Sequence, residues 1–425
     1  MKKIAFFLNN NTLPDMDYSL VTKGNPGIGG SEYEFLIVST YLDQRNNNLD
    51  VYLFVNFKGK FPHKNIVQVK TLEDCCEYCK KNSIKDIVLD IKSFDCNILD
   101  GYADSLDVYI WAHNYASYKV LNLYSKLPYI NKIINVGREQ MDLYRDHMAI
   151  VKSTYIYNVT PIYDKAFYES KMKERDNHNV VYMGSLVPVK GFHVLAKAWK
   201  QVVKEVPDAQ LYVIGSGKLY DKNSSLGEYG IAEQSYEDTF TKYLKDRDGH
   251  LLSSVHFLGL LGTEKWTVLG KCKVGVPNPT GDSETFCNCG IEMQLMGCNI
   301  VTIKHPAYLD TIMNKNFLFK HEGQLAEYIV ERLKGRPDNF DSLYNFVSKK
   351  FSVENIIQKW ESMFFNNEQI VEPASENNYH CKRLKNILFW LKYRIPIFRT
   401  LPTIDRKSTR LNSSHSAKSR MPSSA

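Results

Sequence analysis

Long apolar runs are missing from this 425-residue sequence. No stretch approaches the roughly 18 to 20 apolar residues that a membrane-spanning helix needs, which argues against a protein with several spans. The run from Ile4 to Leu8 is also too short for the core of a signal peptide, and asparagines follow it. The first residues therefore predict a strand, and we expect a cytoplasmic protein.

The sequence also lacks an excess of basic residues over most of its length. The formal net charge is +7, but residues 382–425 hold 11 Lys and Arg against the single acid Asp405. Residues 1–381 contain 43 Lys and Arg and 46 Asp and Glu, so the body of the protein is mildly acidic. Because nucleic-acid-binding proteins concentrate basic residues on their binding face, no nucleic-acid partner is expected.

Residue patterns typical of metal sites and disulfide frameworks are also scarce. Nine cysteines, an odd number, do not suit a disulfide framework. The C-x-x-C at Cys76–Cys79 has no second Cys or His pair at zinc-ribbon spacing, and its segment TLEDCCEYCKKN predicts a helix with buried thiols. The D-x-D triplets Asp15–Asp17 and Asp246–Asp248 do not end an apolar strand. We therefore predict no metal and no cofactor.

Short apolar runs that alternate with amphipathic stretches dominate the rest of the sequence, a pattern typical of strand–helix units and a parallel sheet. The strands predicted in the first half are IAFFLN, LDVYLFV, DIVLDI, VYIWAHN and KIINVG. Helices fit between them at Ser31–Gln44 and Arg138–His147. After the charged segment KMKERDNHN, the predicted strands are VVYMGSL, AQLYVIG, VHFLGL, KVGVPN, NIVTI and FLFK.

This pattern predicts an α/β protein with two doubly wound, Rossmann-like domains that face each other across a cleft. The first domain would cover residues 1–165 and the second residues 176–350. A helix at 351–366 would close the fold by crossing back to the first domain. Ligands of such sheets bind at the carboxyl ends of the strands, so a nucleotide and an acceptor could share the cleft.

The end of the sequence has a different composition. Residues 367–404 form a basic and hydrophobic tail, within which 382–404 interleave Lys and Arg with large apolar residues. A short amphipathic stretch around Leu384–Tyr393 could contact an anionic membrane surface peripherally, or the tail could pack across the domains. Residues 405–425 are polar and rich in serine, and we interpret them as a non-native addition.

The most informative segment is GDSETFCNCGIEMQLMG, residues 281–297, which follows a short predicted strand. Glu284 and Glu292 lie eight positions apart in it, the second within an apolar helix. A carboxylate at the end of a strand and another one helical run later can both reach a ligand that lies over the helix N-terminus.

This segment resembles the E-x7-E motif of the group 1 glycosyltransferases, the large retaining family often called family four, which has the GT-B fold. The resemblance implies that Glu284 contacts the transferred sugar and that Glu292 holds the ribose hydroxyls of the donor. Thr285 and Phe286 would belong to the same donor site. The family often has Gly after the Phe, where this sequence has Cys287, which we expect to crowd the backbone near the diphosphate.

Residues 180–217 are similar to the opening of the family's donor-binding domain. The leaving nucleoside diphosphate gains negative charge as the glycosidic bond breaks, so the chemistry needs a cation there. Lys190 matches that cation, and its alternative is a surface lysine without a role. The family commonly adds an Arg after the strand's glycine, where this sequence has Ser185.

Two further elements of the first half resemble family segments. Gly29 and Gly30, in GNPGIGGSEYEFL, match the glycine loop near the donor diphosphate; the alternative is an ordinary helix N-cap at Ser31. His113 ends the predicted strand VYIWAHN, where the family often has a His that positions the transferred sugar; the alternative is a buried core histidine.

The resemblance spans about residues 1–366. It implies a retaining transfer from a nucleotide-sugar donor, either a UDP- or a GDP-sugar, to a glycan or lipid-linked acceptor in cell-surface polysaccharide synthesis such as that of lipopolysaccharide. Glu284, His113 and Lys190 would be the catalytic residues. One alternative is a non-catalytic nucleotide-sugar-binding subunit of a glycan-assembly complex. A nucleotide-sugar epimerase would need an acid and base set that the sequence does not show.

Overall fold

The computed structural model describes residues 1–404 except 12, 14, 46–47, 218–224 and 367–370. The proposed non-native addition at 405–425 lies outside the described residues. The chain divides into a first unit of residues 1–20, 34–157 and those from 357 onward, and a second unit of residues 21–33 and 158–356.

A seven-stranded sheet forms the centre of the first unit. Its strands pair in the order β5-β3-β1-β6-β7-β8-β9, all parallel, so the chain starts in the middle and winds both ways. The strands of this unit are β1 Lys2–Leu8, β2 Met16–Asp17, β3 Leu49–Val55, β4 Gly59–Lys60, β5 Asn65–Gln68, β6 Asp86–Asp90, β7 Asp107–Ala112, β8 Ile130–Asn135 and β9 Ser153–Tyr155. The first five helices are α1 Gly30–Arg45, α2 Leu72–Lys81, α3 Cys96–Leu99, α4 Tyr118–Lys126 and α5 Arg138–Asp142.

A five-stranded parallel sheet forms the centre of the second unit, in the order β12-β11-β10-β13-β14. Its strands are β10 Asn179–Met183, β11 Gln210–Ile214, β12 Val255–Gly259, β13 Val274–Val276 and β14 Asn299–Ile300, and β15 Thr302–Ile303 pairs separately with β16 Leu318–Phe319. The helices are α6 Lys165–Lys171, α7 Phe192–Glu205, α8 Gln234–Thr241, α9 Lys265–Gly270, α10 Asn288–Leu295, α11 Pro306–Thr311, α12 Leu325–Lys334 and α13 Phe340–Phe351.

The chain then continues through α14 Val353–Phe365 and α15 Lys382–Arg394. Residues of α14 from Ile357 onward belong to the first unit. There Trp360 is fully buried, with its ring 5.9 Å from Phe6 and 4.6 Å from Trp111. Aromatic packing thus ties this helix to the central strands β1 and β7. No helix in the described part of the chain is long and apolar enough to cross a membrane.

Helix α2 shows how local sequence sets an element. The Thr71 side chain accepts a hydrogen bond from the Asp74 N–H, and the Asp74 carboxylate accepts one from the Thr71 N–H, which forms a capping box. The face that this cap positions buries Cys75, Cys76 and Cys79 in the core. Burial raises the pKa of Cys76 to about 12, so this thiol stays protonated and acts as a small apolar side chain.

Replacing Thr71 with Ala should lower the free energy of unfolding by about 1 kcal/mol, because the Asp74 N–H loses its acceptor. Urea unfolding of the full chain measures this change. Thr71→Ser keeps the hydroxyl and should leave the unfolding midpoint nearly unchanged. An equal loss in both variants would contradict the capping role.

Two predicted elements differ in the structure. The helix predicted over Arg138–His147 ends at Asp142, and turns with hydrogen bonds between residues three apart follow it as far as His147. The Arg145 side chain in these turns donates to the distant Glu372 carbonyl. The predicted strand NIVTI is split into β14 and β15, which belong to different sheets. Both deviations depend on long-range contacts that periodicity does not record.

Candidate functional site

An ion pair joins two of the predicted catalytic residues. Lys190 ends a 3-10 turn after β10, and its Nζ lies 2.8 Å from Glu284 Oε2. Both side chains are mostly buried, with 20% and 10% of their surface exposed. The structure therefore brings together, at the carboxyl ends of β10 and β13, a cation and a carboxylate that are 94 positions apart.

Asn278 organises the loop that carries Glu284. Its Nδ2 donates to Glu284 Oε2 at 3.3 Å, to the Val189 carbonyl at 3.2 Å and to the Asp282 carbonyl at 3.1 Å. Glu284 and the turn before Lys190 are thus fixed by one buried amide.

Close backbone packing holds the Lys190 turn against the same loop. Gly191 has φ +69°, and a Cβ there would lie 2.7 Å from Thr280 Cγ2, so a larger residue does not fit. Ser283, directly before Glu284, has φ +58°, which is unusual for a residue other than glycine. Such left-handed residues concentrate at functional loops.

A second ion pair involves the other glutamate of the motif. Glu292 lies on α10, and its Oε1 is 2.6 Å from Nζ of Lys265, the first residue of α9. The Lys265 ammonium also lies 5.0 Å from the ring centre of Trp266, within the range of a cation–π contact. Each glutamate of the motif therefore has its own lysine.

The residues between the two glutamates point mainly into the protein interior. Thr285 and Phe286 are buried, and the Phe286 ring packs edge-on against Phe351 at 5.5 Å. Cys287 is fully buried and caps α10, with its Sγ accepting from the Gly290 N–H at 3.3 Å. Its φ of −99° suits any residue with a side chain. The thiol is thus turned into the interior at the N-terminus of α10, and the expected crowding of the diphosphate site by Cys287 stays a prediction.

Ser185 follows Gly184 at the end of β10, where the family commonly has an arginine. It is 3% exposed, and its Oγ has no hydrogen-bond partner among the described residues. A buried hydroxyl without a partner is uncommon in proteins and is often explained by a functional role or a bound water.

The glycine loop precedes α1 and belongs to the second unit. Helix α1 begins at Gly30, so Ser31 lies in its first turn rather than at the cap. A Cβ at Gly29 would lie 2.2 Å from Glu32 Oε2, whereas a Cβ at Gly30 would meet nothing within 4 Å. A side chain at position 29 would therefore displace the flexible Glu32 carboxylate, next to the positive end of a 16-residue helix.

His113 lies in the first unit, directly after β7. Its side chain is 6% exposed, and Nδ1 lies 3.2 Å from Oδ2 of Asp90, the last residue of the neighbouring strand β6. An ionised Asp90 favours the proton on Nδ1 and leaves Nε2 as the acceptor atom of the neutral ring. The ring also packs 4.5 Å from Trp111.

Sequence reasoning missed two partners that the structure supplies, Lys265 and Asp90. Asp90 was detectable in principle, because it ends a predicted strand that neighbours the strand of His113. Lys265 had no such signal, since it begins a short helix outside any recognised motif. The two D-x-D triplets have local roles, as Asp17 pairs with Lys60 at 3.3 Å and Asp246 accepts from two N–H groups of its own turn.

Replacing Lys265 with Ala should raise the KM for the sugar donor about tenfold and change kcat little, because Glu292 loses the cation that orients it and its proposed ribose contact weakens. Steady-state kinetics with varied donor test this. Lys271→Ala is a matched control, because Lys271 forms an exposed pair with Glu174 in the same unit. A fall in kcat with unchanged KM would contradict the assignment to binding.

Part of this sequence, and its fold, are similar to those of known glycosyltransferases. Residues 177–334 match the family described as "Glycosyl transferases group 1". An "Uncharacterized glycosyltransferase" of Haemophilus influenzae is 24% identical over 231 residues, which is 51% of this chain and 64% of that protein. The chain thus spans less than two thirds of the length of this relative.

Solved structures share the fold at low sequence identity. HepE of Anabaena, crystallised in complex with UDP and glucose, has 16% identity and a TM-score of 0.60, and the match covers 86% of this chain and all of that chain. A glycosyltransferase of Rickettsia africae has 12% identity and a TM-score of 0.59, with 85% and 97% of the chains covered. Sucrose-phosphate synthase of Thermosynechococcus elongatus has 14% identity and a TM-score of 0.58, with 86% and 98% covered.

The predicted fold class and the predicted family are therefore confirmed. Two parallel α/β sheets match glycosyltransferases of known structure, and the family match contains both Lys190 and the E-x7-E segment. Residues 177–334 of this chain thus match the group 1 glycosyltransferases of the family-four type, and the chain has the GT-B fold.

Proposed function

We propose that this protein is a cytoplasmic, retaining glycosyltransferase that moves a sugar from a UDP- or GDP-sugar to a glycan or lipid-linked acceptor in cell-surface polysaccharide synthesis. The observation that carries the proposal is the Lys190–Glu284 pair at 2.8 Å, held by Asn278 in the matched region of the chain. A cation and a carboxylate held side by side can stabilise the opposite charges that develop on the leaving group and on the sugar as their bond breaks.

The sugar–phosphate bond breaks in the proposed reaction, and the electron pair leaves with the diphosphate. An ammonium group has three donor hydrogens, so Lys190 can bind Glu284 and a phosphate oxygen together. Lys190 then stabilises the negative charge that develops on the leaving group, and the backbone amides at Gly29 and Gly30 add hydrogen bonds from a helix N-terminus.

Glu284 supports the positive charge that develops on the sugar as the bond breaks. The acceptor hydroxyl attacks from the face that the diphosphate leaves, and a diphosphate oxygen takes the hydroxyl proton. The new glycosidic bond therefore keeps the configuration of the old one, and no protein nucleophile is needed. Glu292, oriented by Lys265, binds the ribose hydroxyls in this proposal.

His113 is assigned to contact with the sugar or the acceptor. The support is its position directly after β7 and the Asp90 carboxylate that fixes its tautomer. A histidine held in this way presents Nε2 in a defined direction. Thr285 and Phe286 are assigned to the donor site through their backbone, since both side chains are buried.

Nucleoside-diphosphate release from a panel of UDP-, GDP- and ADP-sugars tests the proposal, with cell-extract acceptors present. UDP-sugars come first, since HepE was crystallised with UDP. Release with one donor class, dependent on acceptor, supports a transferase and names its donor.

A non-catalytic nucleotide-sugar-binding subunit is the second candidate, and Ser185 favours it. The diphosphate has one basic residue fewer there than in most family members, and Ser185 Oγ is buried without a partner among the described residues. Calorimetry that shows donor binding, together with no release under any acceptor condition, would favour this candidate. Ser185→Arg should then increase donor affinity.

A further inference from the structure

Helix α15 buries lysines and exposes large apolar side chains, which is the reverse of an ordinary surface helix. Positions 382, 385, 389 and 392 lie on one helical face, and all four side chains are buried although three of them are lysines. The rest of the helix surface exposes large apolar side chains. They are Leu384 at 55% exposure, Ile387 at 58%, Trp390 at 40%, Leu391 at 41% and Tyr393 at 44%.

The three buried lysines fix this orientation. Lys382 Nζ lies 2.6 Å from Glu139 Oε2 and 3.3 Å from Asp142 Oδ2. Lys385 Nζ donates to the Leu143 carbonyl at 2.8 Å, and Lys392 Nζ donates to the Asp146 carbonyl at 3.0 Å. All these acceptors lie between residues 139 and 146. Turning the helix to bury its apolar side would remove the partners of three cations, which is strongly unfavourable.

The exposed apolar side continues beyond the helix. A 3-10 turn at Pro396–Thr400 follows α15, and Ile395, Ile397 and Leu401 are exposed at 42%, 75% and 40%. The Ile404 N–H donates to Asp146 Oδ2 at 2.6 Å, which ties this segment to the first unit. We name the exposed side chains of 384–401 the apolar face.

The charged side chains that residues 382–404 expose all have one sign. Arg383, Arg394 and Arg399 are exposed on the same segment, and residues 382–404 contain no Asp or Glu. An interface between two copies would bring these arginines close to one another across a twofold axis. A surface of anionic lipid instead complements them, because arginine binds phosphate oxygens well.

We propose that the apolar face docks this protein on a membrane surface that contains anionic phospholipids. The 13-residue helix is about 20 Å long, too short to span a bilayer, so it lies in the plane of the interface. Its apolar side chains enter the headgroup boundary, Trp390 and Tyr393 lie at the level that aromatic side chains favour, and the arginines contact lipid phosphates. The inference goes beyond the transfer reaction and does not depend on the donor.

Co-sedimentation of the full chain with vesicles tests the proposal. One set of vesicles contains phosphatidylcholine alone, and the other contains phosphatidylcholine with phosphatidylglycerol. Wild type should pellet with the second set and much less with the first. Ile387→Glu with Trp390→Glu should lower the partition coefficient more than tenfold, and each of Arg383→Gln and Arg399→Gln should lower it about fivefold.

Leu260→Glu is the matched control, because Leu260 is exposed at 58%, the same fraction as Ile387, but lies in the second unit. It should pellet like wild type, and circular dichroism should show all variants folded. The proposal would be overturned if wild type stays in the supernatant. It would also be overturned if the variant Ile387→Glu with Trp390→Glu pellets as well as wild type does. A wild-type dimer that Ile387→Glu converts to a monomer, without vesicle binding, would assign the apolar face to a second copy instead.

Discussion

Glu284→Gln is expected to lower the rate of sugar transfer by about 10²- to 10³-fold, the size of effect that removal of one preorganised polar group has in other enzymes. The neutral amide keeps the shape of the side chain but cannot support positive charge on the sugar. Lys190→Met should have an effect of similar size, because the leaving diphosphate loses its cation. Nucleoside-diphosphate release at saturating donor measures both.

A structural role of the pair must be separated from its chemical role. Lys190→Met leaves a carboxylate that is only 10% exposed without its cation, so this variant should also unfold at lower urea concentration. The double variant Lys190→Met with Glu284→Gln removes both charges and should regain stability but not activity. Recovery of activity in the double variant would contradict the proposed mechanism.

Lys165→Met provides the matched control in the same unit. Lys165 pairs with Glu169 at 3.3 Å and also with Asp341, and the three side chains are 42%, 51% and 61% exposed. Loss of these exposed pairs should change neither transfer nor stability measurably.

Lys382→Met is expected to lower the free energy of unfolding by about 3 to 5 kcal/mol, the range found when one partner of a buried ion pair is removed. Glu139 and Asp142 lie 2.6 Å and 3.3 Å from the ammonium, and the three side chains are at most 4% exposed. Arg145 remains beside Asp142 in this variant. The Glu139 carboxylate therefore loses more electrostatic stabilisation than the Asp142 carboxylate does.

Urea unfolding, with hydrogen exchange of residues 139–146 as a local readout, measures this loss. Lys60→Met is the control, because its pair with Asp17 is exposed at 75% and 54% and should be worth less than about 1 kcal/mol. Equal effects of the two substitutions would show that the buried cluster does not hold the tail. Lys382→Met should also weaken vesicle binding, since the orientation of α15 depends on this anchor.

Much of the fold was predictable from the sequence because buried parallel strands are continuous apolar runs. The predicted strands from IAFFLN to KVGVPN correspond to observed ones within a few residues. The short strand β5 was missed because only two of its four residues, Ile66 and Val67, are apolar, which is too short a run to predict a strand. The helix over Arg138–His147 was predicted too long because the chain changes to turns after Asp142, where Arg145 contacts the distant Glu372 carbonyl.

The candidate site was predictable to a smaller extent. Motif spacing selected Glu284, Glu292 and Lys190, and the family match covers all three. It did not indicate that each glutamate has its own lysine, since Lys265 lies outside the motifs. Nor did it indicate that Cys287 caps helix α10.

By itself the sequence determined two sets of strand–helix units and the positions of the functional motifs, because periodicity and motif spacing are local properties of the chain. Tertiary structure alone decided which charges meet. Lys190 and Glu284 are 94 positions apart, and Lys382 and Glu139 are 243 positions apart. In the sequence the lysines of α15 suggest the solvent side of an amphipathic helix. They are buried because distant carboxylates and carbonyls satisfy them, and that pairing turns the apolar side chains outward.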